Sequence, residues 1–454
     1  MKKRLFLAAP LLLAMAFLAG CPGDAADDYD LHIAVFEGGF GRAFWDERVA
    51  AFERLHDVKV NLEISPQIGQ ILAPRIAVGN VPDFMAITVG PQDHAFLNAM
   101  VNNRELMDLT PFFNTQAPDR PAGTRVRDAI IPGMLDTTMF APYGDGRIFI
   151  APFNAGPMGP VYNVDLFNRM GWTPPATWDQ WFAMDALLNN PDNYVTIGGS
   201  RERRSIFTYQ GIHPGYLESI LWPAIASAGG VEAIRRIETY QAGSWDNPAV
   251  RAVLTNFARM GASYLMPGTV GLNHTQSQAD MLLGRALFIP NGVWFVEEMA
   301  GAPREPGFEF AIAPVPTISP GQPRFVLSSA EQFTIPAAAR NPEMALEFLR
   351  FLYTDESIRA FAREADGSVA LLGARDIARN QLSPSVYNML RAYDEGHFML
   401  MSFAPIPPGL PISMGVEVFN NRITPLMTGE VSVDEYIQSM EALNAQIRAH
   451  IAAN

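Results

Sequence analysis

The chain has 454 residues, 48% of them hydrophobic and 18% charged, with a formal charge of −14 and one cysteine. That is the composition of a globular protein long enough for more than one domain, and a single cysteine excludes an internal disulfide framework. The negative balance sets the chain against nucleic-acid backbones and anionic lipid surfaces.

The chain opens on Lys2, Lys3 and Arg4, an apolar run from Leu5 to Leu18 and the small pair Ala19-Gly20. This is the build of an export signal, too short for an ordinary spanning helix. It ends in LAGC, which resembles the bacterial lipoprotein box, so residues 1–20 are expected to be removed and Cys21 to carry lipid. Lipid chains hold a protein at a membrane through their buried methylenes. Loss of the three basic residues takes the formal charge from −14 to −17. Residues 21–28, acidic and without periodicity, read as a flexible tether.

LHIAVF at 31–36 alternates as a strand, and Glu37-Gly38-Gly39 breaks it. AFWDERVAAFERL then has helical spacing, and VKVNLEI at 58–64 alternates again. Strand, glycine loop, helix, strand is the opening of an α/β domain. ILAPRIAVGN reads as a helix interrupted at Pro74 or as two shorter turns. FMAITV at 84–89 and RIFIAPF at 147–153 read as strands. Thr177 and Gln180 form a capping box for the next helix. GYLESILWPAIASAGG reads as a helix stopping at its glycine pair, and Pro248 sits in the first turn of another. SQADMLLG is a short helix, followed by RALFIPNGVWFVEEM. FEFAIAPV reads as an edge strand ending at Pro314. Asn341 and Pro342 open the clearest helix, with Ala345, Phe348, Leu349 and Leu352 on one face. Ser432 and Glu435 cap the last helix, whose inner face carries Tyr436, Met440, Leu443 and Ile447. No Gly/Ser linker divides the chain, which favours α/β domains sharing it by several crossings.

Several stretches together resemble the family 1 extracellular solute-binding proteins of ABC importers, the group that includes the maltose-binding protein. They are AVFEGGFGRAFWDERVAAFERLHDVKVNLE, PRIAVGNVPDF with its G-x-x-PD pattern, APYGDGRIFIAPFNAGPMGPVYNVDLFNRMGWTPPATWDQW, QADMLLGRALFIPNGVWF and AEQFTIPAAARNPEMALEFLRFLYTDES. The first two look most similar to the N-acetylglucosamine or chitooligosaccharide branch. Two places depart from the pattern: Arg285–Phe288, where small residues and a methionine are usual, and Asp145-Gly146-Arg147, in place of a glycine-lysine pair.

The resemblance implies an α/β, two-lobed periplasmic-binding-protein-like fold with a hinge and an interlobe ligand cleft. It places 27–151 and 325–366 in the first lobe and 152–324 and 367–454 in the second, with crossings near Pro152, Phe325 and Asp366. It also implies a monomeric receptor that hands a mono- or oligosaccharide to an ABC permease, outside the cytoplasmic membrane, with no cofactor, metal or chemistry.

Sugars are held by aromatic faces and by planar hydrogen-bonding groups in concave sites. Trp294 follows the turn Pro290-Asn291-Gly292, and the family motif has a sugar-stacking tryptophan there; packing under the next helix is the plain alternative. Asn291 supplies an amide or caps its own turn. Glu37, Gly39 and Phe40 lie at a strand end, where open α/β folds bind ligands, and glycine permits close approach. Trp45 is a weaker candidate because its spacing also fits the core. Tyr216 stands where the family often has a cleft aromatic, and Glu331 lies near the second crossing. No H-E-x-x-H, G-x-S-x-G or phosphate loop is present. An exported glycoside hydrolase and a receptor for a non-sugar solute such as a peptide remain the alternatives.

Overall fold

The computed structural model describes residues 28–87, 95–407 and 409–453. The signal, Cys21 and all but the last residue of the tether lie outside them, as do Thr88 and Val89 of the expected strand 84–89.

Two sheets organise the molecule. The first has the order Val60–Ser65, Leu31–Phe36, Phe84–Ala86, Gln332–Thr334, Ala151–Pro152. Its first three strands are parallel, and Gln332–Thr334 enters antiparallel. Leu31, Ile33 and Val35 are buried as the alternation requires, and helix Ala43–His56 lays Phe44, Trp45, Val49 and Phe52 inward. The proline-aspartate pair has a structural reason. Asp83 is 1% exposed; its carboxylate accepts from the backbone N–H of His32 (2.9 Å) and of Asn341 (2.7 Å). It thereby ties the first strand to the start of helix Pro342–Leu352. Asn341 caps that helix through Met344 N–H, and its buried stripe is the expected one.

The second sheet has the order His397–Met399, Phe325–Ser329, Gly156–Asn163, Ala286–Gly292, Ser205–Phe207, with Phe310–Ile312 also pairing with Gly156–Asn163. Gly156–Asn163 is buried at every residue, as suits a central strand with covered faces. Helix Glu218–Glu238 carries Ile220, Leu221, Trp222 and Ile225 into the core below it. It breaks at Gly230 (φ 77°), where the glycine pair predicts a stop, and a second helical stretch starts at once.

Local differences have plain causes. Only Ala151–Pro152 of the expected strand 147–153 pairs, because the chain is leaving the sheet there. Helix Ile68–Ile76 runs through Pro74, which sits in its last turn.

The lobe boundaries differ from those expected. Phe325–Ser329 pairs with Gly156–Asn163 in the second sheet, so the return crossing lies at Ser329–Gln332. Residues 369–390 pack into the first core through Val369, Leu371, Ala378, Val386 and Leu390, because those apolar faces meet the first lobe. The chain enters the second sheet again at His397.

The crossings are knitted together. Ala155 N–H donates to Ser368 O (3.0 Å), Ala370 N–H to Phe153 O (2.8 Å) and Phe153 N–H to Glu331 O (2.8 Å). Asn154 Oδ1 accepts from Glu331 N–H (2.7 Å), and Tyr353 OH donates to Pro152 O.

Candidate ligand-binding cleft

The site is built where the second sheet ends against the glycine loop of the first lobe. Strand Ala286–Gly292 stops at Gly292, and Trp294 leads into the single turn Phe295–Glu298. The indole folds back over Gly292. A Cβ there would lie 2.3 Å from the ring, so only glycine leaves room for it. Trp294 is half-buried, at the edge of two second-lobe clusters.

Other rings extend from it. Tyr216 meets Trp294 edge-on (6.1 Å, 65°) and His274 likewise (5.0 Å, 66°), and His274 lies 4.5 Å from His213. Burial, with a smaller contribution from Glu298, pushes the Tyr216 phenol up to about 12 against an opposing hydrogen bond from Trp294, so it remains a neutral O–H donor. Burial, then neighbouring His213, holds His274 below the usual histidine range. Its Nε2 is buried with no protein partner among the described residues.

The first lobe's loop packs against Trp294. A Cβ on Gly39 would lie 3.5 Å from Trp294 Cβ and 3.6 Å from Glu298 Oε1; one on Gly38 would lie 3.9 Å from Glu331 Oε1. The loop therefore brings Trp294, Glu298 and Glu331 against adjacent glycines. Gln278 Nε2 donates to Glu298 Oε2 (2.8 Å), while burial pushes that carboxyl up. Glu331 and Glu218 are pushed up to about 7 by burial alone. Both keep some solvent-accessible surface. Partial access together with strong desolvation is what the floor of a cleft imposes on a carboxyl.

The expected residues divide. Trp294, Tyr216, Gly39 and Glu331 come together, with Glu37 in the same loop. Phe40 is half-buried against Phe361 (5.1 Å), packed on both the first core and a second-lobe cluster. Trp45 is 5% exposed among Phe44, Phe153 and Phe333, so the structure places it in the core rather than the cleft. Asn291 is 0% exposed. Its Oδ1 accepts from Gly292 N–H (2.8 Å), which is the turn-capping alternative, and its Nδ2 has no partner among the described residues. His213, His274, Glu218, Gln278 and Glu298 went unrecognised in the sequence. Glu298 had a signal, since it lies four residues after Trp294 and so on the same helical face. The histidines had none, being 61 residues apart.

The model of the bacterial extracellular solute-binding proteins matches residues 41–358. The chain belongs to this family. Its matched span takes in the glycine loop's far side, Tyr216, Trp294, Glu298 and Glu331. The chain is also similar to the diacetylchitobiose-binding protein NgcE of Streptomyces coelicolor, at 25% identity over 354 residues, which covers 76% of this chain and 70% of that protein. Both the family and this relative are binding proteins by description. Among the described residues no helix is long and apolar enough to cross a membrane, and no group of three or more His, Cys, Asp or Glu side chains could hold a metal ion.

Proposed function

We propose that this chain is an extracytoplasmic receptor that closes its lobes on a saccharide and delivers it unchanged to an ABC permease. The observation that carries the reading is the row Trp294, Tyr216, His274 facing the Glu37-Gly38-Gly39 loop. An indole face suits the C–H face of a pyranose, while the Tyr216 hydroxyl and the carboxyls meet its hydroxyls. The described similarity to a diacetylchitobiose-binding protein supports a saccharide over a peptide. Closure would rotate the lobes about Phe153–Gly156, Ser329–Gln332 and Gly367–Ala370, where few residues absorb the change. The protein would be a monomer held at the membrane by lipid on Cys21.

Melting of the mature protein against a panel of mono- and disaccharides, amino acids and short peptides tests this. Binding to the folded state raises Tm by mass action. A shift with a saccharide, lost in Trp294→Ala, and the sugar recovered unhydrolysed are the expected results. A shift with peptides alone would overturn the saccharide. Cys21→Ser should move the protein from membrane to soluble fraction; equal membrane retention would sink the lipid anchor.

A further inference from the structure

Three carboxyls gather at the cleft: Glu331 beside Gly38, Glu298 beside Gly39, and Glu218 next to Tyr216, while Glu37 in the same loop lies within range of Arg42. None of the three forms an ion pair with an Arg or Lys among the described residues. Elsewhere the chain's acids are generously paired; Arg204, for example, is buried in a fork on Glu305. Arg42, on the far side of the glycine loop, binds Asp46 through both Nε and Nη2 (2.9 and 3.0 Å) and is thereby committed. Of the two nearby imidazoles, burial holds His274 below the usual histidine range, and His213 lies beyond it at the exposed end of the row.

Neutral hydroxyls can donate hydrogen bonds to a carboxyl, but they do not offset the burial that disfavours the ionised form of Glu331 and Glu298. A cation does. It would also profit from the field of a net-acidic crevice and from the Trp294 ring face. The cleft has a donor for the rest of such a ligand in the neutral Tyr216 hydroxyl.

We propose that the cleft selects a saccharide bearing a free amine, its ammonium held between Glu331 and Glu298 at the glycine loop. The ligand class is thus a glucosamine-type oligosaccharide rather than its N-acetylated counterpart. This rests on the saccharide reading of the cleft. An ammonium donates three charge-assisted hydrogen bonds, whereas an acetamide donates one and carries no charge.

Calorimetry on the mature chain with the free-amine glucosamine disaccharide and with its N,N′-diacetyl form is the test. The amine form should bind at least about tenfold more tightly at low salt, a difference of about 1.4 kcal/mol. Raising the salt from about 20 to 500 mM should erode that advantage, because its origin is charge. Glu331→Gln and Glu298→Gln should each bring the ratio toward one. The salt series needs no variant and so stands even where a substitution perturbs folding. Preference for the diacetyl form, or an amine preference that salt and both variants leave intact, overturns this inference while the saccharide reading survives. Binding of neither sugar by protein that still melts cooperatively overturns both.

Discussion

Two aromatic clusters share the same residue types and do different work. Phe44, Trp45, Phe153, Phe333 and Phe361 stack and tilt against one another within about one ring contact, sealed in the first lobe. Trp294, Tyr216, His274 and His213 form an open row in the second, with carboxyls on the facing side. The difference is not hydrophobicity. Trp45 lies mid-turn on an amphipathic helix, so its periodicity turns it inward. Trp294 follows a strand-ending glycine that lets the indole lie flat at an edge, where polar groups complete the surroundings. An aromatic residue becomes a ligand surface when the backbone leaves one face uncovered.

Substitution should separate the clusters. Trp45→Ala should cost about 3–5 kcal/mol of stability, by lost burial and a cavity, seen in denaturant unfolding, while whatever remains folded still binds. Trp294→Ala should do the reverse, weakening saccharide affinity by about 2–4 kcal/mol as a central anchor is lost, with a smaller change in Tm. A Trp45 variant that loses affinity without losing stability would break the contrast. Gly292→Ala sharpens it further. Its Cβ has no room beneath the indole, so it should cost about 1–3 kcal/mol through overpacking and weaken binding by displacing the ring, measurable as altered Trp fluorescence.

The smallest effect lies in pH. Glu331 and Glu218 bind protons in the folded state up to about pH 7, against an ordinary value of 4.5. Between those values the unfolded chain holds fewer protons, so stability falls as pH rises from about 4.5 through 7. His274, depressed below 6.5, opposes this, since its neutral folded form loses stability as pH falls through that range. Glu331→Gln should flatten the alkaline-going decline, worth on the order of 1–2 kcal/mol after solvent screening. An unchanged Tm–pH profile would falsify the assignment of that carboxyl to the cleft floor.

Much of the fold was readable in advance. The first strand, glycine loop and helix, and the capped helices at Thr177, Asn341 and Ser432, follow from alternation, capping side chains and turn residues. Trp294 and Tyr216 were recognisable through their turn and the family pattern. The strand Phe325–Ser329 was less so, because pairing partners 169 to 173 residues away decide which sheet receives it. The apolar faces of 369–390 could pack on either lobe as far as periodicity is concerned.

By itself, then, the amino-acid order determined an α/β protein of the extracellular solute-binding kind, its local elements and two candidate cleft aromatics, because those depend on side-chain period, backbone preference and short-range hydrogen bonds. Only the tertiary structure decided that Trp45 is core, that His213 and His274 share the row with Trp294, and that Glu298 and Glu331 flank adjacent glycines. Burial and desolvation are properties of the assembled surroundings: His213 and His274, 61 positions apart, meet within the second lobe, and Glu331 reaches Gly38, 293 positions away, only where the two lobes come together.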